Sequence, residues 1–212
     1  MAHYHGYHEH DHEIGSPPNH HDHSSKSNRW MGRFMVAVGA VVGSYSLVAA
    51  GVHNEADGVV HYLRSNAENT SSSTRKFAFR IGAGMLLIAG GLGLHYLEKF
   101  IPAESVAPIT PVIFVGETLI NGNNTIKHIK SGSASHDTHI GLAHNGLDTA
   151  TSVASAALTG ASLFANPSSP LAEQIVGTGH TALMATLGAY SVVKAMYFNS
   201  KDRHAHTTGQ ET

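Results

Sequence analysis

Phe34 to Val52 is a run of 19 residues with neither a charge nor a histidine, and coiled as a helix it can cross the ~30 Å hydrocarbon core of a bilayer. A chain with several such runs has few folds open to it. Lipid offers no hydrogen-bond partner, so each crossing must satisfy its own backbone. Comparable stretches recur at about Phe77 to Leu97, Val106 to Ile126, Ile140 to Phe164 and Leu171 to Phe198. Their Ala and Gly content suits close helix packing in lipid. Glu98, Lys99 and Pro102 stop the first of these four, and ANPSSP parts the last two. One further stretch, about Leu47 to Leu63, is apolar but broken by His53, Asn54, Glu55, Asp57 and His61; hydropathy alone passes over it.

The basic residues argue for counting that stretch as the second of six spans. With both termini in the cytoplasm, Lys26, Arg29 and Arg33 lie inside, as do Arg64, Arg75, Lys76 and Arg80 between spans two and three. Lys127 and Lys130 after the fourth span, and Lys194, Lys201 and Arg203 at the end, are inside too. Only Lys99 falls outside, so 12 of 13 basic residues obey the positive-inside rule, and dropping the second span scrambles the pattern. A soluble helical bundle gives no reason for this alternation. The charged fraction, 13%, is also about half that of a soluble domain. The expected fold is an all-α membrane protein with six transmembrane helices and both termini cytoplasmic. Its parts are a disordered His-rich tail at 1–28, a six-helix domain at 29–198 and a short polar tail at 199–212. Pro108 and Pro111 predict a kink in the first half of the fourth helix.

The net charge of −2 gives no reason to expect a nucleic-acid partner. With no cysteine, disulfides, CxxC redox chemistry and thiolate metal sites are excluded. There is no Walker loop, GxSxG, dinucleotide fingerprint or prosthetic-group motif, so an enzyme is not expected. The opening residues do not read as a signal peptide. MAHYHGYHEHDHEIGSPPNHHDH carries eight of the 18 histidines among acidic residues, a flexible tract able to wrap zinc, copper or nickel without selectivity.

Two pentapeptides share one pattern, His53-Asn-Glu-Ala-Asp57 and His144-Asn-Gly-Leu-Asp148. Residues four apart share a helix face, so each presents an imidazole beside a carboxylate. Two such faces supply two nitrogens and two oxygens, a tetrahedral set that zinc accepts at about 2.0–2.2 Å. A single HxxxD is common by chance in a His-rich chain. A pair inside predicted spans is not casual, because an Asp at the helix centre costs about 2.5–3.5 kcal/mol to insert.

Together with the six spans, SLVAAGVHNEAD at the second and GLAHNGLD at the fifth, this pattern resembles the cation diffusion facilitator family of zinc transporters over roughly Trp30 to Phe198. The resemblance implies metal ligands at His53, Asp57, His144 and Asp148, with His at the first position matching members that favour zinc over cadmium. It further implies a homodimer and a multi-pass protein, expected in a bacterial inner membrane. The family commonly adds a cytoplasmic domain, whereas only Asn199 to Thr212 follow the last span here. His61, one turn beyond Asp57, and His136 and His139 in the SHDTH loop are secondary ligand candidates. Glu117 joins His53 and His144 as a candidate for coupling to protons. His95 and His180 read as partnered core groups, and the Gly-rich GAGMLLIAGGLG as a face for dimer contact. The expected function is export of a divalent cation, zinc before other transition metals, in exchange for protons. The partners are zinc, protons and the bilayer. The alternative is a non-transporting membrane metal-binding or scaffold protein. An oxidoreductase with His-ligated iron or haem is disfavoured, for no haem-spanning His pair is apparent.

Overall fold

The computed structural model describes residues 20–101, 105–131, 136–166 and 168–208, and every regular element among them is an α-helix. In chain order these are α1 (His20–Val42), α2 (Tyr45–Asn69), α3 (Ser73–Leu97), α4 (Thr110–Ser131), α5 (His136–Ala165) and α6 (Leu171–Thr208).

The first helix boundary corrects the sequence reading. Phe34 to Val52 is not one span, because the chain turns sharply at Gly43 and Ser44. Gly43 adopts φ 70°, a left-handed conformation that costs glycine nothing, and Ser44 N–H donates to Gly39 O at 2.9 Å, closing the end of α1. Ser44 then caps α2, its hydroxyl accepting from Leu47 N–H at 3.3 Å. The signal was a Gly-Ser pair inside an apolar run. The apolar residues on its two sides belong to different helices.

Other limits shift for local reasons. Residues 20–28, expected in a disordered tail, belong to α1, and Ser25 and Asn28 are buried; residues 1–19 lie outside the described residues. Pro111 is the second residue of α4, where a missing N–H costs nothing, so the two prolines start that helix and do not kink it. Lys127 and Lys130 lie on α4 and Arg64 on α2, not in loops. The last helix continues past Phe198 to Thr208.

The packing centres on α2, which touches α1, α3, α5 and α6, while α4 pairs with α5 and α3 with α6. Backbone meets backbone where glycines face each other. A Cβ on Gly51 would stand 2.7 Å from Gly32 O, and one on Gly84 would stand 2.8 Å from Gly188 O. Of the Gly-rich stripe on α3, Gly84 and Gly91 are set against α6, while Gly93 faces open space.

The interior is rich in polar side chains, and many large apolar ones lie on the surface. Among the described residues, buried polar and charged side chains number 24 and buried hydrophobic ones 21, while Trp30, Val41, Phe100, Leu119 and Phe164 are exposed. Among the described residues one helix, α3, is both long and apolar enough to cross a membrane on composition alone, and only 28% of its most apolar window is buried.

Candidate metal centre

The start of α2 is fixed first. Glu173, in the first turn of α6, is fully buried and accepts from Ser44 Oγ at 3.0 Å and from Ser46 N–H at 2.8 Å. A carboxylate on the exposed N–H groups at a helix N-terminus is stabilised by the helix dipole. This contact pins α6 to the start of the helix that carries both His53 and Asp57.

The structure brings the four candidate ligands together as two crossed pairs. His53 Nε2 of α2 lies 3.5 Å from Asp148 Oδ1 of α5, and His144 Nδ1 of α5 lies 3.4 Å from Asp57 Oδ1 of α2. The crossing follows from antiparallel helices, in which each residue's partner runs backward by one turn as the other runs forward. Four ligands about 2.1 Å from a zinc ion stand about 3.4 Å from one another, so each pair has the length of one edge of that tetrahedron. All four residues are buried, and His53 Nε2 and Asp148 Oδ1 have no hydrogen-bond partner among the described residues. The two edges remain separate, for among the described residues no three His, Asp or Glu side chains close on one ion-sized point. Each pair is one turn from the other along both helices.

Asp57 is the more heavily partnered half. Asn28 Nδ2 of α1 donates to its Oδ2 at 2.6 Å, and His61 Nε2 lies 3.3 Å from the same oxygen. His61 Nε2 also lies 3.1 Å from Asn145 Oδ1, and Asn145 Nδ2 donates to His128 Nδ1 at 2.7 Å. On the other side Asn28 Oδ1 accepts from Asn124 Nδ2 at 2.9 Å. A buried polar chain thus runs from His128 through Asn145 and His61 to Asp57, Asn28 and Asn124, joining α4, α5, α2 and α1.

His144 is held from the far side. Its Nε2 accepts from Arg64 Nη2 at 3.0 Å, and the same guanidinium nitrogen donates to Ser191 Oγ of α6 at 3.2 Å. His53 Nδ1 meets His180 Nδ1 at 3.1 Å, and His180 stacks on Phe114 with ring centroids 6.0 Å apart. Glu117 of α4 is buried with Oε1 accepting from Asn54 Nδ2, while Oε2 has no hydrogen-bond partner among the described residues. Asp57, Glu117 and Asp148 are all buried, as is the guanidinium of Arg64, and an unneutralised charge in such surroundings is costly.

The remaining candidates fall apart from this centre. Glu55, on another face of α2, pairs with Arg29 Nε at 3.3 Å and Arg33 Nη2 at 3.1 Å. His95 is exposed beside Glu98, contrary to the core role expected for it. His139 is exposed on the first turns of α5, which begins at His136; the side chain of His136 lies outside the described residues.

Sequence reasoning missed Asn28, Arg64, His128 and Asn145, whereas His180 is the partnered core group expected of it, buried and against His53. Some of this was legible. Glu117, Asn121, Asn124 and His128 are all buried and recur at helical spacing along α4, as His53, Asp57, His61 and Arg64 do along α2. Compared with protein-family models, curated proteins and solved structures, the chain matches none.

Proposed function

We propose that the chain is a multi-pass membrane protein that carries a divalent cation, zinc first, through its helical core in exchange for protons. The observation that carries this reading is the pair of crossed His–Asp edges, each at tetrahedral ligand spacing and buried at the meeting of α2 and α5. Membrane embedding is supported by the polar interior under an apolar surface. It is also supported by length, because even the shortest helix, with 22 residues, rises about 33 Å.

In the mechanism, zinc takes neutral imidazole nitrogens from His53 and His144 and ionised carboxylates from Asp57 and Asp148. Capture therefore releases whatever protons neutralised the site. The exchange is one of charge, with protons on the buried carboxylates in one state and a divalent ion among them in the other. Glu117, bonded to Asn54 beside His53, is placed to hold one of those protons. Protons on the far side then compete the ion off, and no covalent bond is made or broken.

The test is exchange in proteoliposomes. Wild-type protein is expected to move zinc against a proton gradient, acidification of the receiving side to speed release, and His144→Ala to abolish transport. Undiminished zinc transport by His144→Ala would overturn the reading.

A further inference from the structure

Arg64 sits where a metal ligand needs freedom. Its side chain is 2% exposed, eleven residues past His53 on the same stripe of α2, and its guanidinium reaches His144 on α5 and Ser191 on α6. Arginine carries only donors, so the 3.0 Å contact fixes His144 Nε2 as the acceptor. In a neutral imidazole the proton then sits on Nδ1, directed at Asp57 Oδ1 at 3.4 Å. Neither nitrogen of His144 has a lone pair left for a metal. If the metal took Nε2, it would occupy the position of the guanidinium. If it took Nδ1, the imidazole proton would move to Nε2 and face an arginine donor 3.0 Å away. Both routes require Arg64 to leave His144.

We propose that Arg64 is a tethered cation that contests His144 with the transported metal, holding that half of the site when no ion is carried. This rests on the metal reading above. Ser191 Oγ lies 3.2 Å from the guanidinium nitrogen and 3.4 Å from His144 Nε2, so it can keep a hydrogen bond to the guanidinium as the latter gives up the imidazole. The exchange keeps a positive charge beside His144 in both states, and the two arrangements are mutually exclusive. Metal binding is thereby tied to a movement that connects α2, α5 and α6.

The experiment is a titration of the full-length chain in detergent with cobalt(II) alone, followed by the intense visible absorption of tetrahedral cobalt, which a solvated His-rich chelate lacks. Arg64→Met and Arg64→Gln are expected to bind at least tenfold more tightly than wild type. Arg64→Lys, which keeps a donating cation, should stay within about threefold of wild type, and adding His144→Ala to Arg64→Met should abolish the band. A residue that merely braced the helices would give the opposite sign, weaker binding on truncation. If wild type binds and neither Arg64→Met nor Arg64→Gln binds more tightly, this inference falls and the metal reading stands. If neither wild type nor the variants give a tetrahedral band, the metal reading falls and takes the inference with it.

Discussion

Asp57→Asn separates the metal role of Asp57 from its structural one. The carboxylate accepts from Asn28 Nδ2 at 2.6 Å and faces His61 and His144 at 3.3 and 3.4 Å. A hydrogen bond to a charged group contributes about 1.5–3 kcal/mol, against about 1 for a neutral one. The amide keeps an oxygen for Asn28, but its NH2 then faces the Nδ1 proton of His144, donor against donor. The metal-free protein should therefore lose about 2–5 kcal/mol, the charged-to-neutral difference together with one unpaired buried donor. Zinc affinity should fall as well. Removing a group that merely orients a ligand costs about 10–100-fold in metal affinity, so losing a ligating carboxylate should cost at least about 100-fold, or roughly 2.7 kcal/mol. Two measurements on the same preparation decide the matter, a thermal melt without metal and a zinc titration against a chromophoric chelator. A variant that melts lower yet binds zinc within about threefold of wild type would show that Asp57 is a packing residue, and the four-ligand argument would fail.

Three further outcomes follow from the same contacts. Because the chain has no cysteine, single cysteines at Asn69 and Lys99 can be labelled in intact vesicles, and six crossings predict that membrane-impermeant reagents reach them from opposite sides. Labelling of both from one side would remove the multi-pass reading. Glu173→Ala deletes the carboxylate on Ser44 and Ser46 and should lower stability by about 1–3 kcal/mol, measured as a melting shift, with the number of metal ions bound unchanged. Gly51→Leu would drive a side chain into Gly32 O and Val36 N and should cost several times more than Gly93→Ala. The latter faces open space and should raise stability by about 0.5–1 kcal/mol. Equal melting of these two variants would refute the close packing of α1 on α2.

Sequence by itself determined the helical class, because long stretches rich in Ala, Leu and Val and separated by breakers are the pattern of helices rather than of short strands. It also determined which residues could ligate. The two HNxxD motifs place His beside Asp through helix geometry alone, whatever the neighbours do. Where a helix ends inside an apolar run was harder, since Gly43 and Ser44 interrupt the backbone without interrupting the hydropathy. Only tertiary structure decided which partner each polar group meets. Arg64 counts as a loop charge until α5 and α6 bring His144 and Ser191 to it, and Asn28 reads as tail until α1 is laid along α2. The grouping of His53 with Asp148 and His144 with Asp57 has the same origin. Periodicity fixes a residue's direction from its own helix axis. The register and crossing of two helices depend on every side chain, and every glycine, between them.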